Sequence, residues 1–173
     1  INIFKNLDFH KYNTELLIIG GGSTNDSINT INNIENLIKN TENIKYLGLV
    51  PYEKINLYYD IIDIICLPRI DCDVCNIVSP LKPYEAMSKG KIVLTSSVDA
   101  VCEIVKHNYN GIVFDKKNID DLRVKIIDIL EYKYNFNEII NNGYNFCKAN
   151  TWEYTCKNLM EILKKYLRSN PNQ

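Results

Sequence analysis

Short apolar runs alternate with amphipathic stretches along most of this chain. Residues 15–19, Glu-Leu-Leu-Ile-Ile, form an apolar run closed by Gly20-Gly21-Gly22, which predicts a buried strand ending in a turn. Over residues 23–40, Ile28, Ile31, Ile34, Leu37 and Ile38 recur at helical spacing. A second strand is predicted at 44–47, stopped by Gly48. Pro51 then stands near the start of a helix whose apolar side carries Ile55, Leu57, Tyr58, Ile61 and Ile62. Residues 63–67 give a third strand ended by Pro68, and 69–76 reads as a loop. The segment 78–91, VSPLKPYEAMSKGK, reads as a helix from Pro80 or Pro83 to Lys89, with Gly90 as its stop. Strands follow at 92–95 and 111–114, separated by a helix through 101–106. Asn118 with Asp120 and Asp121 opens another helix, an arrangement the helix dipole favours. Two more helical patterns occupy 137–149 and 152–167.

This alternation predicts an α/β fold, a Rossmann-like, doubly wound parallel sheet with helices on both faces. No internal repeat or domain-scale linker interrupts the pattern, so one domain is expected over 1–168, followed by a polar tail at 169–173. In such folds ligands bind outside the carboxyl ends of the strands. Three loops therefore hold the candidate chemistry: 20–23, 49–52 and 78–85.

Composition narrows the choice of partner. A chain of 173 residues with 46% hydrophobic and 24% charged content can bury a core of its own. A formal net charge of -1 offers no basic face for nucleic acid or an anionic membrane. No apolar run approaches the roughly 18 residues of a membrane span. The first residue is Ile, with no charged leader or apolar signal region behind it, so the beginning reads as a cut. Cys66, Cys102, Cys147 and Cys156 sit in apolar or helical patterns and read as small buried hydrophobes of a reducing, cytoplasmic compartment. Cys72 and Cys75 have CxxC spacing, but neither His10 nor His107 is near in sequence, so the two read as an incidental loop pair.

The glycine loop superficially looks like a dinucleotide loop, yet Asn25 stands where GxGxxG places its last glycine. No acidic residue closes the second strand to hold a ribose, and no lysine follows the glycines. Gly20 and Gly22 therefore serve either a tight turn or the approach of backbone N–H groups to a phosphate. Glu85 also reads in two ways. As a structural residue it complements the helix dipole or partners Ser79 or a neighbour in a capping box. As a ligand-binding residue it accepts two hydrogen bonds from a ribose diol, while Ser79, Lys82 and the N–H groups of the helix start meet a diphosphate. Arg69 reads as a solvated loop residue. Trp152, at helical spacing with Tyr154, Leu159 and Leu163, reads as core.

Leu16-Leu17-Ile18-Ile19-Gly20-Gly21-Gly22, Tyr46-Leu47-Gly48-Leu49-Val50, Leu67-Pro68, Pro80-Leu81-Lys82-Pro83-Tyr84-Glu85-Ala86-Met87 with Gly90-Lys91, and Asn110-Gly111-Ile112-Val113-Phe114 form an ordered set. That set resembles the C-terminal domain of family 4 GT-B glycosyltransferases over nearly the whole chain. The Pro-Leu-Lys-Pro-x-Glu-Ala-Met variant is similar to a subgroup of the family. The resemblance implies a nucleotide-sugar donor as substrate, with Glu85 on the ribose hydroxyls. It implies that Lys82 and the backbone around Ser79, Pro80 and Leu81 meet the diphosphate, and that Leu49 and Val50 meet the base through backbone groups. It implies a retaining hexosyltransferase that needs neither cofactor nor bound divalent metal, the helix end and basic side chains taking the leaving group's charge.

Two departures from the family accompany it. A first glutamate, eight positions before Glu85, is replaced by Ile77. The Arg and Lys that neutralise the donor phosphates, and the whole N-terminal acceptor domain, have no counterpart in this chain. The expectation is a donor-binding half, inactive alone, whose parent acts on an unknown acceptor and is cytoplasmic or peripheral at a membrane. The alternative is a non-catalytic nucleotide-binding or interaction module descended from such an enzyme. A GT-B-shaped epimerase would draw its catalytic carboxylates and a His from the other domain, and nothing in these residues points to it.

Overall fold

Each predicted apolar run becomes a strand, and the ladders between strands are parallel. The structure, a computed structural model, describes residues 1–169. The chain divides into two units, Ile1–Ile61 and Ile62–Gln173, each taken by itself below.

The first unit runs α1 (Asn2–Lys5), α2 (Phe9–Tyr12), β1 (Leu16–Ile18), α3 (Asn25–Ile38), β2 (Ile44–Tyr46), a 3-10 turn (Tyr52–Lys54) and α4 (Ile55–Ile61). Leu16 lies opposite Ile44 and Ile18 opposite Tyr46. α3 starts at Thr24, whose hydroxyl accepts the Ser27 N–H at 3.2 Å, and it packs on β2. A threonine at this position satisfies one of the otherwise unpartnered first-turn donors.

The second unit contains β3 (Ile64–Leu67), α5 (Asp73–Ile77), α6 (Lys82–Ser88), β4 (Ile92–Ser96), α7 (Asp99–Cys102), β5 (Ile112–Phe114), α8 (Ile119–Leu130), α9 (Phe136–Ala149) and α10 (Trp152–Ser169). Its strand order is β3-β4-β5. β4 is central and all five of its residues are buried, which is why it reads as a continuous apolar run rather than an alternation. α6 and α9 pack against β4 and against each other, and α8 packs on β5. Met87, Val93, Leu94, Val98, Val101 and Ile112 form the most deeply buried part of the core. The α/β fold with parallel strands and helices on both faces is the class the sequence predicts.

Several local expectations change. The 69–76 loop contains most of α5, whose Val74 and Ile77 are 66% and 78% exposed, so this helix has no buried stripe to announce it. The helix after β4 begins earlier than 101, at Asp99. Trp152 is 77% exposed, and Cys156 is exposed too, because α10 buries none of its residues. Their helical spacing is real, but it does not mark a buried face. Of the expected polar tail, Ser169 ends α10, and 170–173 lie outside the described residues.

Candidate functional site

The crossover from β3 to β4 carries the most distinctive residues of the sequence. α6 lies in that crossover, and its back and front do different work. Pro83, Ala86 and Met87 are buried, while Lys82 and Glu85 are exposed. Residues three apart share one helical face, so the ammonium and the carboxylate stand together on the solvent side of the first turn. Leu81 occupies the N-cap position without a side-chain cap, and Pro83 sits within the first turn. Ser79 therefore does not cap this helix, and the capping-box expectation for Glu85 fails. The reason is geometric: Pro80 and Leu81 come between Ser79 and the first helical residue.

Close packing holds this helix from behind. A Cβ added at Gly143 of α9 would lie 3.1 Å from Met87 Cγ, so the two helices meet where one has no side chain. Tyr84 and Phe146 stack with ring centroids 5.8 Å apart, and the Cys147 thiol donates to the Tyr84 carbonyl at 3.4 Å.

The loop leading into α6 is anchored from the end of β3. Arg69 donates from its guanidinium to the Val78 carbonyl at 2.9 Å. The Arg69 carbonyl in turn accepts the hydroxyl of Ser96 at 2.7 Å, and Ser96 is fully buried at the end of β4. Arg69 is therefore not a solvated loop residue but the brace of the segment before Ser79. The sequence held no signal for this, since an arginine's backbone partner nine residues away leaves no pattern.

Beyond the carboxyl ends of the strands, Lys116 contacts Asp71 at 2.9 Å and Asp99 at 3.6 Å, and donates to Asn76 Oδ1 at 3.0 Å. Asn76 also donates to Asp71 and accepts the Asp99 N–H. The hydrogen bond from Asn76, then that from Lys116, holds the Asp71 carboxyl below the usual range, and Asp71 pushes the Lys116 ammonium up. This network ties together the segments that follow β3, β4 and β5, and sequence reasoning missed it because its members are far apart in the chain.

In the first unit, Gly20 has φ +141, a conformation that only glycine adopts readily, and its N–H donates to the Gly48 carbonyl at 2.9 Å. The Tyr46 hydroxyl closes the same turn on the Gly20 carbonyl at 2.8 Å. The turn after β1 and the turn after β2, which bears Leu49 and Val50, are thus side by side. A Cβ on Gly22 would lie 2.5 Å from Ser27 Oγ, so that glycine admits the first turn of α3. A cleft of about 370 Å³ beside this turn is lined by Gly20, Gly21, Asp26, Ser27 and Tyr46 among others. Within its own unit, then, the structure puts Gly20, Gly22, Leu49 and Val50 in the turns that follow β1 and β2, and in the other unit it puts Ser79, Pro80, Leu81, Lys82 and Glu85 around one helix start. No group of three or more potential metal ligands is present among the described residues. No helix among them is long and apolar enough to cross a membrane.

Parallel strands with helices on both faces make this an α/β, Rossmann-like fold. Residues 1–146 match the family Glycosyl transferases group 1, and the chain belongs to that family. It is 27% identical over 159 residues to an uncharacterized glycosyltransferase of Methanocaldococcus jannaschii, covering 89% of this chain and 38% of that protein. The chain therefore spans well under half the length of this relative. Its fold matches Anabaena HepE solved in complex with UDP-glucose, with a TM-score of 0.66, 16% identity and coverage of 87% of this chain and 41% of that one. It also matches the C-terminal domain of a group 1 glycosyl transferase, LpcC, from Francisella tularensis, with a TM-score of 0.63, 22% identity and coverage of 82% and 72%.

Proposed function

We propose that this chain is the donor-binding half of a retaining glycosyltransferase of the family 4, Pro-Leu-Lys-Pro-x-Glu-Ala-Met subgroup. The parent enzyme transfers a hexose from a nucleoside-diphosphate sugar to an acceptor held against an N-terminal domain. The observation that carries this reading is the exposed first-turn pair, Lys82 and Glu85, on a helix whose other face is fixed in the core. Family membership and the UDP-glucose bound by HepE support it.

In this reading Glu85 accepts hydrogen bonds from the ribose hydroxyls. Lys82 and the N–H groups of Leu81, Lys82 and Tyr84, which an α-helix leaves without intrahelical partners, receive the diphosphate. As the glycosidic bond to the donor breaks, negative charge grows on the departing diphosphate, and these groups stabilise it without a metal ion. Arg69 acts at one remove by fixing Val78 and hence the approach to Ser79. Alone, the chain binds donor and does not turn over. A non-catalytic binding module is the second reading, favoured by one observation: Ile77, exposed on α5, stands where the family carries a first glutamate.

Calorimetric titration of the chain with UDP, GDP and ADP tests the proposal. One nucleotide should bind in preference to the other two. Equal binding of all three, or none by a chain shown to be folded, would remove donor recognition from this half.

A further inference from the structure

The connection from β3 to α6 leads into Ser79, yet apolar packing does little to hold it. α5 lies in its middle and buries none of its residues, and Val74, Ile77 and Val78 are exposed. A five-residue helix without a buried face has no hydrophobic reason to keep its place. What fixes it is polar, and the ties run to the segments after β4 and β5.

Lys116 stands at the centre of those ties. Its backbone is set from behind: the Lys116 N–H donates to the Ser97 hydroxyl at 3.0 Å, and the Ser97 N–H donates to the Phe114 carbonyl at 2.8 Å. Its side chain, only 17% exposed, reaches across to α5 and the residues before it. Nζ stands 2.9 Å from Asp71 Oδ1 and donates to Asn76 Oδ1 at 3.0 Å. Asn76 gives both ends of its amide to the same junction. Its Oδ1 also accepts the Asp99 N–H at 3.2 Å, and its Nδ2 donates to Asp71 Oδ1 at 2.9 Å. One ammonium thus joins a residue before α5 to a residue within it. Lys117, 3.8 Å from Asp71, is mostly exposed and adds little.

Lys116 itself has no charge to offer a diphosphate. Asp71 at 2.9 Å and Asp99 at 3.6 Å already match it, and reaching an anion would mean leaving both carboxylates. Its influence runs instead through the backbone it holds. Two residues after Asn76, the Val78 carbonyl takes the Arg69 guanidinium at 2.9 Å, and Ser79 follows directly.

We propose that Lys116 is a positioning residue of the donor site: through Asp71 and Asn76 it holds the 71–78 segment and so sets where Ser79 meets a nucleoside diphosphate. The inference rests on the donor-binding reading above.

The test compares the full chain as wild type, Lys116→Met and Lys116→Arg in two readouts. Amide hydrogen exchange followed by NMR reports on the segment with no ligand present. The Asn76 and Val78 amides, bonded to the Cys72 and Val74 carbonyls at 2.9 Å, should exchange about tenfold faster in Lys116→Met, with Val93 and Leu94 of β4 unchanged. Calorimetric titration with UDP, GDP and ADP reports on the site. Lys116→Met should weaken binding of the nucleotide that wild type prefers by about two- to thirtyfold, and Lys116→Arg, which keeps the cation, should recover most of the loss. Lys133→Met is the structural control. It removes contacts of 2.8 Å to Asp128 and 3.0 Å to Glu131 beyond the far end of α8, and should leave affinity unchanged. Asn76→Ala, a helix-favouring change on a surface helix, strikes the same junction and takes the place of Lys116→Met if that variant does not fold. Unchanged exchange at Asn76 and Val78 would overturn the inference, whatever the affinities. Faster exchange with wild-type affinity, or an equal loss of affinity in Lys133→Met, would overturn it while leaving the donor reading intact. A folded wild type that binds none of the three nucleotides would overturn the donor reading first, and the role of Lys116 with it.

Discussion

Asn110 offers a sharp test of how the second unit is held together. Its side chain is 2% exposed and makes two hydrogen bonds of opposite polarity. Oδ1 accepts the Lys106 N–H at 2.7 Å, and Nδ2 donates to the Ile104 carbonyl at 2.9 Å. Together they shape the turn from α7 into β5. Asn110→Ala removes both partners and leaves a backbone donor and a backbone acceptor unsatisfied. At about 1–3 kcal/mol for each such group, the expected loss is roughly 2–6 kcal/mol. Asn110→Asp is the more telling variant. An ionised carboxylate still accepts from Lys106 but faces the Ile104 carbonyl with a second acceptor, whereas the protonated acid restores the donor. Burial and that hydrogen bond both favour the neutral form, so the folded pKa lies above the ordinary aspartate value of about 3.9. A raised folded pKa gives stability that is complete below the unfolded pKa and lost as the pH climbs through the folded one. Urea unfolding followed by circular dichroism, on wild type and both variants from pH 4 to pH 8, reads this directly. Asn110→Asp should approach wild type at the acid end and fall away from it with rising pH, while Asn110→Ala should stay at a near-constant deficit. A pH-independent Asn110→Asp difference, or an Asn110→Ala cost below about 1 kcal/mol, would refute the account of this turn.

Further expectations concern single residues. Glu85→Ala, on an exposed face, should change stability by no more than about 0.5 kcal/mol. By calorimetry it should weaken nucleotide binding by about one to two decades, the equivalent of a charge-assisted hydrogen bond worth about 1.5–3 kcal/mol; unchanged affinity would count against its ribose role. Gly111→Ala would set a Cβ 2.5 Å from Val105 Cγ1 and 3.0 Å from the Val93 carbonyl oxygen. Overpacking of that kind should cost about 1–3 kcal/mol in urea unfolding. The His107 pKa is depressed by burial and then by Lys125, and its Nδ1 accepts the Val113 N–H at 3.1 Å. The neutral ring is thus favoured in the folded state, and its contribution is complete above the unfolded value and lost as the pH falls through the folded one; His107→Asn should flatten that part of the pH–stability curve. Lys116→Met should let the Asp71 carboxyl rise toward the ordinary range, though the Asn76 bond keeps part of the depression, and an NMR titration of Asp71 would show it.

β4 was legible because burial on both faces leaves an unbroken apolar run at Ile92, Val93 and Leu94. α6 was legible for a different reason: its prolines, its glycine stop and the spacing of Lys82 and Glu85 are all local. What escaped was either non-periodic or non-local. α5 has exposed Val74 and Ile77, so its helix leaves no amphipathic trace. The grip of Arg69 on Val78, and of Lys116 on Asp71 and Asn76, joins residues that only the folded chain brings together. Trp152 shows the opposite failure, a true helical stripe that implied burial where none is found.

The seating of α6 on α9 has a dynamic consequence. A helix of seven residues is too short to persist alone in water, so α6 owes its existence to what lies behind it. The Met87–Gly143 approach, the Tyr84–Phe146 stack and the thiol bond from Cys147 make α6 and α9 one cooperative opening unit, although Cys147 and Tyr84 lie 63 positions apart in sequence. Amide protons of the two helices should then exchange with solvent at a common opening free energy. Anything that settles on the Lys82–Glu85 face should slow exchange in α9, a helix it does not touch.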